Sequence, residues 1–446
     1  MTTIRKWARR VALSLLALLA IAAILWTTSR ALYPTADQRD ALAVMQLPAP
    51  PPGENAFAAL WTLDRAVPPD EMARVIALDA ARIKKLPQFP DPDAPLTEFA
   101  SAAEQYPDLS PSPEDRDLFC NHERDDCLDK VGADIPAYRA LIERNRELLD
   151  RIDALADYEY VRQQLPWHMS ASMLMPSHAG LSSTRHALWF LDGRIDEALA
   201  ASCRGIDTWR RLGASGDTLI LRLIANAHAA RNHGKLLAEM LARLPVDHPL
   251  PPACDSALAP PSPRELTTCT AMRGELELMK TTTPAMLEEA DDPWLSMPAL
   301  KIGYNFEASH AALAEGLAPI CSDGEIQRIA ADDPDIERPA PENHSIWRFE
   351  CIGNYIGCAI TSIAATAPAY DSYRLRMQDF GARLELLATL AWLGENAGGE
   401  RALEALLASR PQSMRSPARS VRVDDDGASL RIRMFSDAGN EYWSVP

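Results

Sequence analysis

The run Val11–Thr28, VALSLLALLAIAAILWTT, constrains this chain more than any other stretch. Arg10 and Arg30 leave 19 uncharged positions between them. At about 1.5 Å per residue these span roughly 28 Å as a helix, close to a hydrocarbon thickness of about 30 Å. A secretory signal has a shorter apolar core, about 7–15 residues, followed by a small-x-small cleavage site. Ala20-Ile21-Ala22 has that form but lies inside the run, and Ser29-Arg30-Ala31 fits it less well. The sequence therefore predicts an uncleaved transmembrane anchor, with a cleaved signal peptide as the alternative. Trp7 and Trp26 stand where an aromatic belt would be. The cluster Arg5, Lys6, Arg9 and Arg10 predicts a cytoplasmic N-terminus and places everything after Arg30 outside. The chain uses 7 Lys against 38 Arg, with abundant alanine, which suits a GC-rich bacterial genome. The expected location is thus the bacterial inner membrane, single-pass, with the bulk of the chain in the periplasm.

Beyond Arg30 the chain carries 40 basic and 62 acidic residues. Such a surface repels nucleic acid and anionic headgroups, and a nucleic-acid role is discarded. All eight cysteines lie beyond the anchor: Cys120, Cys127, Cys203, Cys254, Cys269, Cys321, Cys351 and Cys358. In an oxidising compartment an even set reads as disulfides, although eight cysteines allow 105 pairings. Short loops favour Cys120 with Cys127 and Cys254 with Cys269. Cys351 and Cys358, seven apart on one helix, would lie about 10 Å from each other, beyond disulfide reach. One of them is expected to bond Cys321.

Residues 1–30 form the cytoplasmic stub and anchor. Residues 31–53 hold a short helix, Ala36 to Gln46, and the spacer Leu47-Pro48-Ala49-Pro50-Pro51-Pro52-Gly53, whose composition favours polyproline II. It is expected to hold the domain off the bilayer. A helical subdomain is predicted at 54–245, with caps at Asn55, Asp70, Asp134 and Asp217. The Asp134 helix carries the stripe Leu141, Ile142, Leu148, Leu149, Ile152 and Leu155. The proline-rich stretch Pro245 to Pro263 marks an internal boundary. A second helical subdomain follows at 246–418, with an irregular stretch from Thr281 to Ala299. In it, Tyr373, Met377, Phe380, Leu384, Leu387 and Ala391 recur at 4, 3, 4, 3, 4, a buried seam on a helix over 370–393. From Ser420 the period changes to two, predicting a three-stranded antiparallel meander within 419–446 that packs on that helix. The fold class is mainly α, antiparallel helical pairs with a small C-terminal β-meander.

Two stretches resemble known arrangements. GRIDEAL, with Gly193 and Ala198 at the small-residue positions, is similar to the inter-helix turn of a tetratricopeptide repeat. Ser202 and Gly205 depart from that pattern, and no second copy occurs at a 34-residue period. The resemblance covers 184–213 and implies an antiparallel helix pair. The long helix followed by a meander resembles uncharacterised single-pass, N-terminally anchored envelope proteins of Gram-negative bacteria. It covers roughly the last 80 residues, and it implies no activity.

Candidate chemistry is sparse. His168, Met169, Met173, Met175 and His178 fall within 11 residues. Thioether sulfur and imidazole select Cu(I), and Met169 and Met173 would share a helical face. Methionine also fills irregular core gaps, so packing is the competing reading. Cys120 to Cys127, with His122 between, offers two thiolates and an imidazole to zinc, but the spacing departs from C-x2–4-C and a disulfide loop is expected. His228 and His233 are five apart, so an α-helix turns them away from each other, and HExxH is absent. Gly213-Ala214-Ser215-Gly216-Asp217 lacks G-x-S-x-G spacing. The acidic runs at 288–292 and 332–335 lack EF-hand spacing.

No catalytic residue or cofactor is therefore assigned. The expectation is a non-catalytic interaction, scaffold or assembly subunit, working with protein partners at the inner membrane. The alternatives are a periplasmic enzyme whose site is dispersed in sequence, and copper handling through 168–178.

Overall fold

The computed structural model describes residues 2–88, 99–121, 124–169, 174–289, 302–335, 348–366, 369–396, 403–424, 427, 429–436 and 441–446. The chain is mainly helical and divides into two compact units. Unit 1 comprises residues 1–46, 276–319 and 336–369, and unit 2 comprises 47–275, 320–335 and 370–446. The boundary expected at 245–246 falls inside unit 2, and the chain enters that unit at Leu47, where the proline spacer begins.

Unit 1 is built on α1 (Thr2–Leu32), whose apolar window has mean hydropathy 2.3 and is not buried at all. One N-terminal helix is thus long and apolar enough to cross a membrane. A second helix, α2 (Ala36–Val44), starts with a capping box in which Thr35 and Gln38 satisfy each other's backbone N–H groups. It packs against the Phe306–Leu317 helix, which also contacts the Tyr355–Thr366 helix. The Asn305 cap expected from sequence is present, its Oδ1 accepting from Ala308 N at 3.3 Å.

Unit 2 is a stack of helix pairs. The Ser182–Leu191 and Ile195–Ser215 helices turn through Gly193, whose φ of +81° lies in the region glycine adopts without strain. The Asp134 helix is interrupted: it runs Ile135–Arg144, breaks at Asn145, and resumes over Arg146–Asp153. Asn145 Nδ2 donates to Leu141 O and to Asp115 Oδ2, both at 2.9 Å, which holds the break. Several expected caps move. Pro68 rather than Asp70 precedes the Pro69–Ile83 helix, because a proline already satisfies its first position. Asn55 bonds Arg162 and the N–H of Phe57, so the Phe57–Trp61 helix is shorter than predicted. Thr218, not Asp217, caps Leu219–Asn226; Asp217 is buried and accepts from Gln163 N at 2.9 Å. The Cys269 helix continues to Glu289 with Pro284 inside it, where an irregular stretch was expected.

The long helix spans Ala369–Asn396, and Met377, Phe380, Leu384, Leu387 and Ala391 are buried as the period requires. The strands β1 (Arg422–Val423), β2 (Leu430–Arg433) and β3 (Tyr442–Val445) form an antiparallel meander in that order. Val423 pairs with Leu430, and Ile432 with Trp443. Their apolar face, with Leu430, Ile432, Met434 and Val445, packs on Leu386, Leu387 and Leu393 of the long helix. Burying each such side chain contributes about 1.5–3 kcal/mol, which is how so small a sheet holds together.

An ionic knot pins this sheet. Arg419 grips Asp332 with two bonds, Nε–Oδ2 at 2.7 Å and Nη2–Oδ1 at 2.6 Å, and Asp379 through Nη1–Oδ1 at 2.8 Å. Its guanidinium carbon lies 3.9 Å from the Phe435 ring centroid. The carboxylate of Asp379 also accepts from the N–H groups of Phe435 and Ser436 at 2.8 Å each. All three charged side chains are nearly inaccessible to solvent.

All eight cysteines are bonded: Cys120–Cys127, Cys203–Cys254, Cys269–Cys321 and Cys351–Cys358. The Cys120–Cys127 expectation holds, and that bond occupies both thiols of the alternative zinc reading. The Cys254–Cys269 pairing does not, because Cys254 and Cys269 begin different helices and each faces a distant segment. The assignment of Cys321 to Cys351 or Cys358 also fails. Cys351 lies in a 3-10 turn and Cys358 in the following helix, with a break at Gly353-Asn354, so their Cα atoms are 5.7 Å apart rather than two helical turns. Each disulfide lies within one unit.

Candidate functional site

In the stretch singled out for copper, residues 168–169 and 174–176 are not helical, and His178 lies in the 3-10 turn Ser177–Gly180. Met173 lies outside the described residues. His168 is buried, with Nε2 3.1 Å from Leu86 O, whereas His178 has Nδ1 2.8 Å from Asp64 Oδ1. Met169 and Met175 are exposed. The two imidazoles are thus each committed on one nitrogen to a different neighbour. Among the described residues no group of three or more His, Cys, Asp or Glu is placed to hold a metal ion.

A second polar cluster, around the buried Arg185 and His186, lies elsewhere in unit 2. Arg185 and His186 come from the Ser182–Leu191 helix and Asp153 from the end of Arg146–Asp153. Arg185 bonds Asp150 at 2.6 Å, Leu149 O at 2.9 Å, and Asp153. His186 Nε2 lies 3.4 Å from Asp153 Oδ2. Burial opposes ionisation of Asp153, but His186 and Arg185 outweigh it and hold the carboxyl well below its usual range. The His186 ring is 5.6 Å from that of His233, and a cleft beside them is lined by Asp153, Ser182, Arg204, Gly205, Thr208 and His233. A Cβ on Gly205 would stand 2.7 Å from the His233 ring, so only glycine lets that ring lie on the Ile195–Ser215 helix.

His233 reaches this place because Ala227–Gly234 is a π-helix. Its i→i+5 bonding brings residues five apart closer to eclipse than an α-helix does. Both His228 and His233 are consequently buried, where α-helical geometry predicted divergence. Burial pushes His228 down to about 4, so it is neutral and its Nε2 donates to Pro176 O at 3.1 Å.

Glu239 is the second displaced group. Its Oε2 accepts from the N–H of Cys127 and of Leu128, at 2.9 and 3.2 Å, in the first turn of the Cys127–Gly132 helix. Burial first, then the nearby Asp126 charge, pushes its carboxyl up to about 7. The unfolded chain releases this proton near 4.5 and the folded chain near 7. Between those values the native state binds more protons, so stability falls as pH rises through the window and levels off above it. Glu239→Gln keeps an oxygen acceptor but removes the proton. Its unfolding midpoint is expected to lose this part of the decline between pH 5 and 7.5, measured by urea titration at both. A wild-type slope retained in the variant would contradict the assignment.

Sequence reasoning missed Asp153, Arg185, His186 and Glu239. The available signal was charge placed within otherwise apolar helices, as in Thr184-Arg185-His186-Ala187-Leu188-Trp189. A third feature belongs to unit 1, where the last turns of α1 are bonded into the fold. Trp26 Nε1 donates to Ile302 O at 3.3 Å, Ser29 Oγ donates to Glu350 O at 3.0 Å, and Gly353 N donates to Ser29 Oγ at 3.1 Å. Arg30 donates to Ile302 O at 3.0 Å and Tyr304 O at 3.2 Å. A Cβ on Gly353 would stand 2.7 Å from Arg30 Cγ and 3.1 Å from Trp26 O, so glycine permits this close approach. No family model, curated protein or solved structure matches the chain.

Proposed function

We propose that this chain is a non-catalytic, membrane-tethered interaction or assembly subunit at the periplasmic face of a bacterial inner membrane. The observation that carries the reading is the joint between α1 and unit 1. Cleavage after Ser29-Arg30-Ala31 would discard Trp26, Ser29 and Arg30, and with them every bond of that joint. A retained helix fixed to a folded unit holds that unit in a set orientation near membrane partners. Pre-paid orientation lowers the entropic cost of association. The basic residues before Val11 favour a cytoplasmic N-terminus, and four disulfides suit an oxidising compartment.

The test has two parts. A phosphatase fused to the C-terminus is expected to be active only after export, and a fluorescent protein that matures in the cytosol is expected to stay dark there. Affinity purification from solubilised, crosslinked membranes is expected to recover a partner protein in fixed ratio. Recovery of the monomer alone across several detergents would overturn the interaction role.

A dispersed enzyme site is the second reading, favoured by the carboxylate–imidazole contact of Asp153 and His186 beside a cleft. Such a pair can orient a general base. Among the described residues, the hydroxyls of Ser182 and Ser202 and the Nδ1 of His186 have no hydrogen-bond partner. A small-molecule thermal-shift screen in which a hit is lost with His186→Ala would favour it over the first reading.

A further inference from the structure

We infer that unit 1 is seated in the lipid–water interface around the exit of α1, with Ile302, Phe349, Ile352 and Tyr355 against the acyl–headgroup boundary. The inference rests on the anchor reading and adds what the folded unit does at the bilayer.

Four large apolar side chains are left open here: Ile302 is 56% exposed, Phe349 37%, Ile352 43% and Tyr355 57%. Such a grouping on a folded unit calls for a partner surface. Its position names the partner. The Ile302 carbonyl is bonded by both Trp26 and Arg30, and the 349–353 turn is bonded to Ser29 and Arg30. The patch therefore surrounds the point where the uncharged run of α1 ends. Trp26 lies about 6 Å below Arg30 along the helix axis, by a rise of about 1.5 Å per residue. A bilayer core filled by the 19 uncharged positions would bring lipid up to the level of Ile302.

The chemistry around the patch agrees. No charged residue occurs from Cys351 to Tyr370. Glu350, at the edge, is neutralised by Arg348 at 2.7 Å. Arg30 stacks over the Trp26 ring at 4.8 Å, with its apolar stem along the helix and its head against backbone carbonyls. Tryptophan and tyrosine are the side chains that prefer headgroup depth. The Cys351–Cys358 bond staples the 349–352 turn to the Tyr355 helix, so the patch is presented as one rigid surface.

The experiment uses the full chain in phosphatidylcholine–phosphatidylglycerol nanodiscs. Photoreactive benzoylphenylalanine replaces Leu18, Ile352 or Tyr355 in separate variants, and phospholipid adducts are read by mass spectrometry after irradiation. Light-dependent adducts are expected at all three positions. Adducts at 18 but not at 352 or 355, or crosslinks from 352 and 355 to a second protein chain, would overturn the seating and leave the anchor standing. Absence of adducts at 18 would overturn the anchor and the seating together.

Discussion

Replacing Arg419 with alanine is expected to lower the unfolding free energy of unit 2 by about 3–5 kcal/mol, the usual cost of leaving buried charge uncompensated. Arg419 is the cation between Asp332 and Asp379, and neither carboxylate has water to turn to. Asp379 would keep the N–H groups of Phe435 and Ser436, and Asp332 would keep the hydroxyl of Ser416 and the amide of Gln378. Those contacts cannot offset two negative charges facing each other in a poorly solvated space. Urea denaturation followed by tryptophan fluorescence measures the loss, since Trp392 and Trp443 pack against the apolar core between the sheet and the long helix. A companion variant, Arg419→Met with Asp332→Asn and Asp379→Asn, removes all three charges. It should recover part of the loss, because no buried charge is left unpaired, and only part, because Asn offers one acceptor oxygen where the N–H groups of Phe435 and Ser436 now use both oxygens of Asp379. A loss under about 1 kcal/mol for Arg419→Ala would mean solvent reaches the site and screens it.

The second large effect belongs to a covalent link. Removing the Cys203–Cys254 bond as Cys203→Ala/Cys254→Ala should destabilise unit 2 by about 4 kcal/mol, taking the chain-entropy relation for a loop of some fifty residues. The same change at Cys120 and Cys127, seven residues apart, should cost about 2.5 kcal/mol. The longer bond has structural reinforcement. It ties the Ala253–Leu258 helix to Ile195–Ser215, where Arg210 donates to Ser256 O, Ala257 O and Ala259 O at 2.7–3.0 Å. Both variants are measured on the same urea axis. If Cys120/Cys127 proves the costlier pair, loop length is not what governs these bonds.

The parts of the fold legible in the sequence are those set by period. The 3-4-3-4 seam from Met377 to Ala391 and the alternation after Ser420 each reported a buried face, while Tyr373, the first member of the seam, is only half-buried. Local punctuation was legible where one residue acted alone, as with Gly193 or Asn305. It failed where two residues competed for one role. Pro69 displaced Asp70 at a helix start, and Thr218 freed Asp217 to bond Gln163. Disulfide partners were legible only for Cys120 with Cys127. The other bonds depend on breaks in the helices, such as the one at Gly353-Asn354, that hydrophobic spacing does not encode. The cluster of half-buried Asp153 with Arg185 and His186 was invisible for a related reason. Its members are separated by 32 residues of chain, and each alone reads as an ordinary charge on an amphipathic helix. The copper candidates were adjacent in sequence, but His168 and His178 turn to separate neighbours.

The widened turn at Ala227–Gly234 has a consequence for how this chain tolerates change in length. A π segment accommodates one residue more than an α-helix of the same rise. Losing any one residue there would restore regular winding, at little local cost. The turns after it would keep their phase, because the regular helix covers the same rise with one residue fewer. Leu236, Leu237 and Met240 would stay inward and Glu239 would stay at the start of the Cys127–Gly132 helix, while the wide turn that brings His233 onto Gly205 would be lost. A single-codon deletion in this stretch is therefore absorbed locally, whereas one in the Lys235–Leu241 helix would rotate the residues beyond it by about 100°.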